Sequence, residues 1–150
     1  MPSIIEKFYP LFISTLITAI SSYTTFNHFT NVRLRYDILS ASISISSIFV
    51  GFLITTITLI FAMDGTSIIK GFKEAGVYKK LTAYLMQAIS TSFFSAIFSL
   101  TGLFIEIKEK EPVQLFESIF SLSWLFITSL AILYCQRVIL CLAQIIKYYS

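Results

Sequence analysis

Few side chains in this chain are placed to do covalent chemistry. Catalysis needs a nucleophile, an acid and a base, or a metal, held within hydrogen-bond reach. The single histidine, His28, has no second histidine with which to hold a metal, and no His-Glu-x-x-His pattern or phosphate-cradling glycine loop is present. Cys135 and Cys141 are six apart in one apolar run, which puts them on different faces of a helix and matches no metal or Cys-x-x-Cys spacing. They read as apolar, lipid-compatible side chains. Serine is abundant but has no base beside it, and the only Gly-x-Ser is Gly65 to Ser67. Glu6, Glu106 and Glu117 fall near the ends of apolar runs, so there is no mid-run carboxylate of the kind a proton-coupled antiporter uses. These patterns predict a chain that is not an enzyme and takes no cofactor and no metal. Arg137 and Gln144 are the polar residues that stand out, seven apart and so on one helical face, as a polar ring would need in an oligomer.

The elements that carry these residues are written in the composition. Of 150 residues, 56% are hydrophobic and 13% charged, and mean hydropathy is +0.82, whereas a soluble domain carries about 25% charged residues. Lipid, not water, is the expected solvent. A membrane helix needs about 20 mostly apolar residues, and four stretches qualify, at about 11–29, 38–63, 81–105 and 115–136. The fold class is therefore all-α, a polytopic integral membrane protein of one domain over 1–150. A short amphipathic segment is expected at 66–75 and a helical extension at 137–149. The first span lacks a basic leader and a small-residue cleavage site, so it is read as retained.

Orientation follows from the basic residues that flank the spans. Lys7, Lys70, Lys73, Lys79, Lys80, Arg137 and Lys147 fall on one side, against Arg33, Arg35, Lys108 and Lys110 on the other. Both termini are expected in the cytoplasm. The net charge of +3 is spread along the chain with no long basic run, so no nucleic-acid partner is expected.

Helices in lipid touch through small residues and hydroxyls. The second span carries Ser40, Ser44, Ser47, Gly51, Thr55, Thr58 and Ala62 at spacings of three and four, and the third carries Ala88, Ser92, Ser95, Ser99 and Gly102. The first has a shorter set, Ser14, Thr18, Ser22 and Thr25. These stripes predict packing seams, with a hydroxyl-lined pore as the alternative, and their extent predicts a homo-oligomer. Aromatic rings such as Tyr84 are expected at the interface. In the loop 64–80, Ile68, Ile69, Phe72 and Ala75 share one face, and Lys70, Lys73, Lys79 and Lys80 would meet anionic lipid or a soluble cytoplasmic protein. From Pro112 to Tyr149 the last helix would run about 55 Å, almost twice the hydrocarbon thickness. It is expected either to project beyond Tyr134, with Arg137 snorkelling to the headgroups, or to hold Arg137 in the bilayer at about 2.5–3.5 kcal/mol.

The run Gly51-Phe-Leu-Ile-Thr-Thr-Ile-Thr-Leu-Ile-Phe-Ala-Met63, followed by Ile69-Lys-Gly-Phe-Lys-Glu-Ala-Gly-Val-Tyr-Lys-Lys-Leu81, resembles small bacterial membrane proteins of anti-phage defence systems, such as the membrane subunit of Kiwa-type systems. The resemblance implies a non-catalytic component of the bacterial inner membrane that senses infection or perturbs the membrane with a soluble cytoplasmic partner. It carries over no functional residue. A Ser/Thr-lined channel or holin-like pore, and an accessory subunit of a larger membrane complex, are the other functions considered.

Overall fold

The computed structural model describes residues 4–28, 36–74, 76–104 and 115–149. All of the regular structure in these residues is helical: α1 Ile4–His28, α2 Tyr36–Ala62, α3 Ser67–Glu74, α4 Val77–Phe104 and α5 Leu115–Tyr149. The expected connections around Asn31 and Glu106, with Arg33, Arg35, Lys108, Lys110, Glu109, Glu111 and Pro112, lie outside the described residues. So do Ala75 and the side chains of Glu6, Lys7, Thr25, His28, Ile68, Phe72, Glu74, Glu117 and Lys147.

Among the described residues, three helices are long and apolar enough to cross a membrane: α2, α4 and the part of α5 from Ser118 to Gln144. In α1 the apolar stretch described is Phe8–Tyr23, short of the roughly 20 residues a crossing takes. Pro10 lies inside α1, where its missing N–H removes one helical hydrogen bond. The face bearing Pro10 and Ser14 is fully buried, and α5 is the helix on which α1 packs.

Helix α4 is the centre of the bundle. Its buried residues Leu81, Tyr84, Leu85, Ala88, Ser92, Ser95, Ser99 and Gly102 recur every three or four positions, so one face stays covered along the whole helix. Helices α2 and α5 both pack on it. Ser42 and Ser46 of α2 meet Ser99 and Ser95 of α4, one turn forward against one turn back, which makes the pair antiparallel. Trp124 and Thr128 of α5 meet Ser99 and Ser95 in the same sense. An apolar cluster closes each end of the seam. Leu53, Leu81, Tyr84, Leu85, Ala88, Cys135 and Val138 form the one near α3. Leu39 and Trp124 form the other, flanked by Phe98 and Phe120, whose rings stack at 4.8 Å. Gly102 is required there, because a Cβ would stand 3.0 Å from the Phe120 ring and 3.2 Å from Leu39.

The link from α2 to α4 is built by local chemistry. Gly65 and Gly76 hold φ of 95° and 69°, the left-handed region that ends helices and favours glycine. The Thr66 hydroxyl accepts from the Ile69 N–H at 3.4 Å, an N-cap for α3. Ile69 is 2% exposed and fixes α3, which packs on α4. Lys73 Nζ donates to Asp64 Oδ1 at 2.6 Å across the link.

The packing within the chain departs from one sequence expectation. In α2 the buried face is Leu39, Ser42, Ser46 and Leu53, not the stripe through Ser44, Ser47, Gly51, Thr55 and Thr58, which is exposed, with Ser40 at its margin. Bulk decides between the two serine-bearing faces: Leu39 and Leu53 fill the space against α4, whereas the stripe has only small side chains to offer. Its hydroxyls bond their own backbone, Ser44 to Ser40, Thr55 to Gly51 and Thr58 to Ile54, so facing lipid leaves them satisfied. Helix α5 stays packed on the bundle beyond Tyr134. Val138 is fully buried, and Cys141 and Leu142 pack on the cluster near α3.

Candidate functional site

The interior of this bundle is polar. Ser42, Ser46, Ser92, Ser95, Ser99 and Ser121 are all buried, and five of them form a ladder up the centre of three helices. Ser99 lies 3.0 Å from the Ser42 hydroxyl and accepts the Trp124 indole N–H at 2.8 Å. One turn along α4, Ser95 lies 3.4 Å from both Ser46 and Thr128. One turn further, Ser92 is 3.5 Å from the Cys135 sulfur. Alanine-sized side chains let α2 and α5 approach α4, and the hydroxyls then find partners that lipid could not supply.

Two turns beyond the ladder stands the least expected feature of the molecule. Arg137 is 4% exposed, and its guanidinium carbon lies 3.5 Å from the centre of the Tyr84 ring. The guanidinium thus turns inward, against a neighbouring helix of the same bundle. The reason is geometric: antiparallel packing on α4 sets Arg137 opposite Tyr84, whose ring takes the guanidinium face. A desolvated contact of this kind stabilises by about 2 kcal/mol. It leaves the in-plane donors unanswered, for Arg137 Nε and Nη2 and Tyr84 Oη are buried without a hydrogen-bond partner. Each such group costs about 1–3 kcal/mol, and more when it carries charge. Lys80, one turn earlier on α4, holds its Nζ 5.5 Å from the centre of the same ring.

The remaining residues singled out by the sequence fall elsewhere. Gln144 is exposed, level with the start of α4 where nothing covers it, so it forms no polar pair with Arg137 within the chain. Lys70 and Lys79 are exposed. Lys73 is paired with Asp64, and the pair holds the Asp64 carboxyl below its ordinary range and the Lys73 ammonium above its own, the shared hydrogen bond being the largest cause. Ser92, Ser95, Ser99 and Gly102 lie inside the seam.

Ser42, Ser46, Trp124, Thr128 and Tyr84 are the site residues that sequence reasoning did not select. Ser42 and Ser46 carry a readable signal, since they share a face with Leu39 and Leu53. Tyr84 reads as an interfacial ring because nothing in the sequence pairs it with Arg137. Among the described residues no group of three or more His, Cys, Asp or Glu could hold a metal. No family model, curated protein or solved structure matches the chain. The helices therefore establish a largely helical protein with apolar helices of membrane-spanning length.

Proposed function

We propose that this chain is a non-enzymatic, multi-pass protein of the bacterial inner membrane that works as a homo-oligomer. In this reading α1 makes a fourth crossing, and both termini and α3 face the cytoplasm. The observation that carries it is the outer face of α2. Ser44, Ser47, Gly51, Thr55 and Thr58 remain exposed, and a Cβ on Gly51 would meet nothing within 4 Å. Small residues in lipid are the faces on which helices associate, and the chain's own packing uses the opposite side of α2. The hydroxyls on this face already bond backbone carbonyls, which suits a helix contact better than the wall of a water-filled pore.

The role we assign within that assembly is the membrane sensor or effector of a bacterial anti-phage defence module, acting with a soluble cytoplasmic protein. Support comes from the resemblance of the segments 51–63 and 69–81, and from α3, which displays Lys70 and Lys73 beside exposed Lys79. Cysteine crosslinking in membranes tests the oligomer. With Cys135 and Cys141 replaced, single cysteines are scanned along α2 from Ser44 to Thr58. Crosslinked dimer is expected at Ser47, Gly51 and Thr55 and little at Leu53, which faces α4. A flat profile, or monomer throughout, would sink the proposal.

A further inference from the structure

We propose that Arg137 is the gripping residue of a phosphate site at the α3 end of the bundle, and that the phosphate belongs to a membrane phospholipid. The chemistry starts from the guanidinium, a planar cation with N–H donors and no acceptor. Its face is satisfied by the Tyr84 ring at 3.5 Å, but a ring face cannot accept the N–H groups that lie in the guanidinium plane. The two buried donors left without a partner are Nε and Nη2. These are neighbours on one edge, the parallel fork that fits two oxygens of a phosphate or carboxylate. Tyr84 Oη, also buried and unpartnered, adds a third group able to donate to the same kind of acceptor. Lys80 brings a second positive charge to the ring at 5.5 Å. Arg137 and Lys80 thus meet at the Tyr84 ring, and the unanswered edge of the guanidinium is the place for an oxyanion.

Among the described residues, no free acid stands by to fill it. Of the acidic side chains described, Asp37 is in the first turn of α2, at the far end from α3, and Asp64 is held by Lys73 at 2.6 Å. Depth favours lipid as the source. Helix α4 has 28 residues, about 42 Å, against a hydrocarbon thickness of about 30 Å, which leaves about 6 Å of helix outside at each end. Tyr84 is two turns in from Val77, about 10 Å. The Tyr84–Arg137 pair therefore lies only about 4 Å beneath the headgroup boundary, within the reach of an arginine side chain. A phospholipid presents its phosphate at that boundary. Tyr84 keeps 8% exposure, so the pair touches the surface of the bundle at the ring.

The test uses the full-length protein with Arg33→Lys and Arg35→Lys, which leaves Arg137 as the only arginine. Arginine is labelled with 15N, and solid-state NMR measures coupling between the guanidinium nitrogens and 31P. In phosphatidylglycerol bilayers we expect coupling to the lipid phosphorus. The same protein in phosphate-free maltoside micelles with added inorganic phosphate distinguishes the sources. Coupling there but not in the bilayer would keep the phosphate site and overturn the lipid. Coupling in neither overturns the proposal, as does a guanidinium contact to a 13C-labelled carboxylate instead. Arg137→Lys keeps the charge and loses the fork, so native mass spectrometry should find phosphatidylglycerol retained about tenfold less well. Equal retention would overturn the assignment of Arg137. Where that variant does not fold, the coupling on the sole-arginine protein decides alone.

Discussion

Replacing Ser99 by alanine removes the junction of the ladder. Two hydrogen bonds go, one with Ser42 at 3.0 Å and one from the Trp124 indole at 2.8 Å. Hydrogen bonds between membrane helices average about 0.6 kcal/mol, with a maximum near 1.7, so the pair contributes about 1–2 kcal/mol. The indole N–H is then left buried without an acceptor, which costs about 1–3 kcal/mol. The expected loss is about 2–5 kcal/mol. Ser42→Ala breaks one bond and spares the indole, so it should cost about 0.5–1 kcal/mol. Ser92→Ala removes only a 3.5 Å contact to the Cys135 sulfur and should cost less than about 0.5 kcal/mol. Trp124 is the single tryptophan, so its fluorescence during titration with dodecyl sulfate in mixed micelles follows unfolding at the ladder itself. Equal midpoints for Ser99→Ala and Ser92→Ala would refute the reasoning that the ladder holds the three helices together.

Other predictions follow from the same packing. Gly102→Leu should destabilise by about 2 kcal/mol or more through overpacking, because even a Cβ there stands 3.0 Å from the Phe120 ring; the dodecyl sulfate midpoint measures it. In phosphate-free maltoside micelles, where no phosphate can meet its donors, Arg137→Met removes a buried charge with unpaired donors at the cost of the contact with Tyr84, so stability there should hold or rise by about 1 kcal/mol. A large fall in the unfolding midpoint would mean that the arginine is satisfied where it sits. The Asp64–Lys73 link should tie α3 down across a defined pH window. The lowered Asp64 carboxyl contributes above its unfolded range and is lost as pH falls through the folded value, while the raised Lys73 ammonium contributes until pH climbs through its own folded value. Amide exchange in α3 should therefore quicken at both extremes in the wild type and keep no such window in Asp64→Asn. Both side chains are half exposed, so the effect is small and falls with added salt.

How far the sequence could be read depended on which forces decided each feature. Helix positions were legible because apolar length and the glycines at 65 and 76 act locally, and α3 falls at Ser67–Glu74 where an amphipathic segment is expected at 66–75. The α4 seam was legible too, since Ala88, Ser92, Ser95, Ser99 and Gly102 are small residues on a single face. In α2 two faces carry serines, and only the partner's shape says that Leu39 and Leu53 turn inward with Ser42 and Ser46. The cost of Arg137 follows from its residue type, but its environment comes from the antiparallel register of α4 and α5, which brings Tyr84 over it. Pairings between helices leave no trace in the period of either one alone.

In the proposed function, copies of this chain assemble in the membrane through the outer face of α2. Native mass spectrometry of the full-length protein released from nanodiscs, compared with Gly51→Leu, tests it most directly. A side chain at Gly51 meets nothing within the chain, so the fold should survive while the α2 faces can no longer meet. One defined homo-oligomer for the wild type and monomer for Gly51→Leu is the result expected. Monomer for both, or the same oligomer for both, would contradict it.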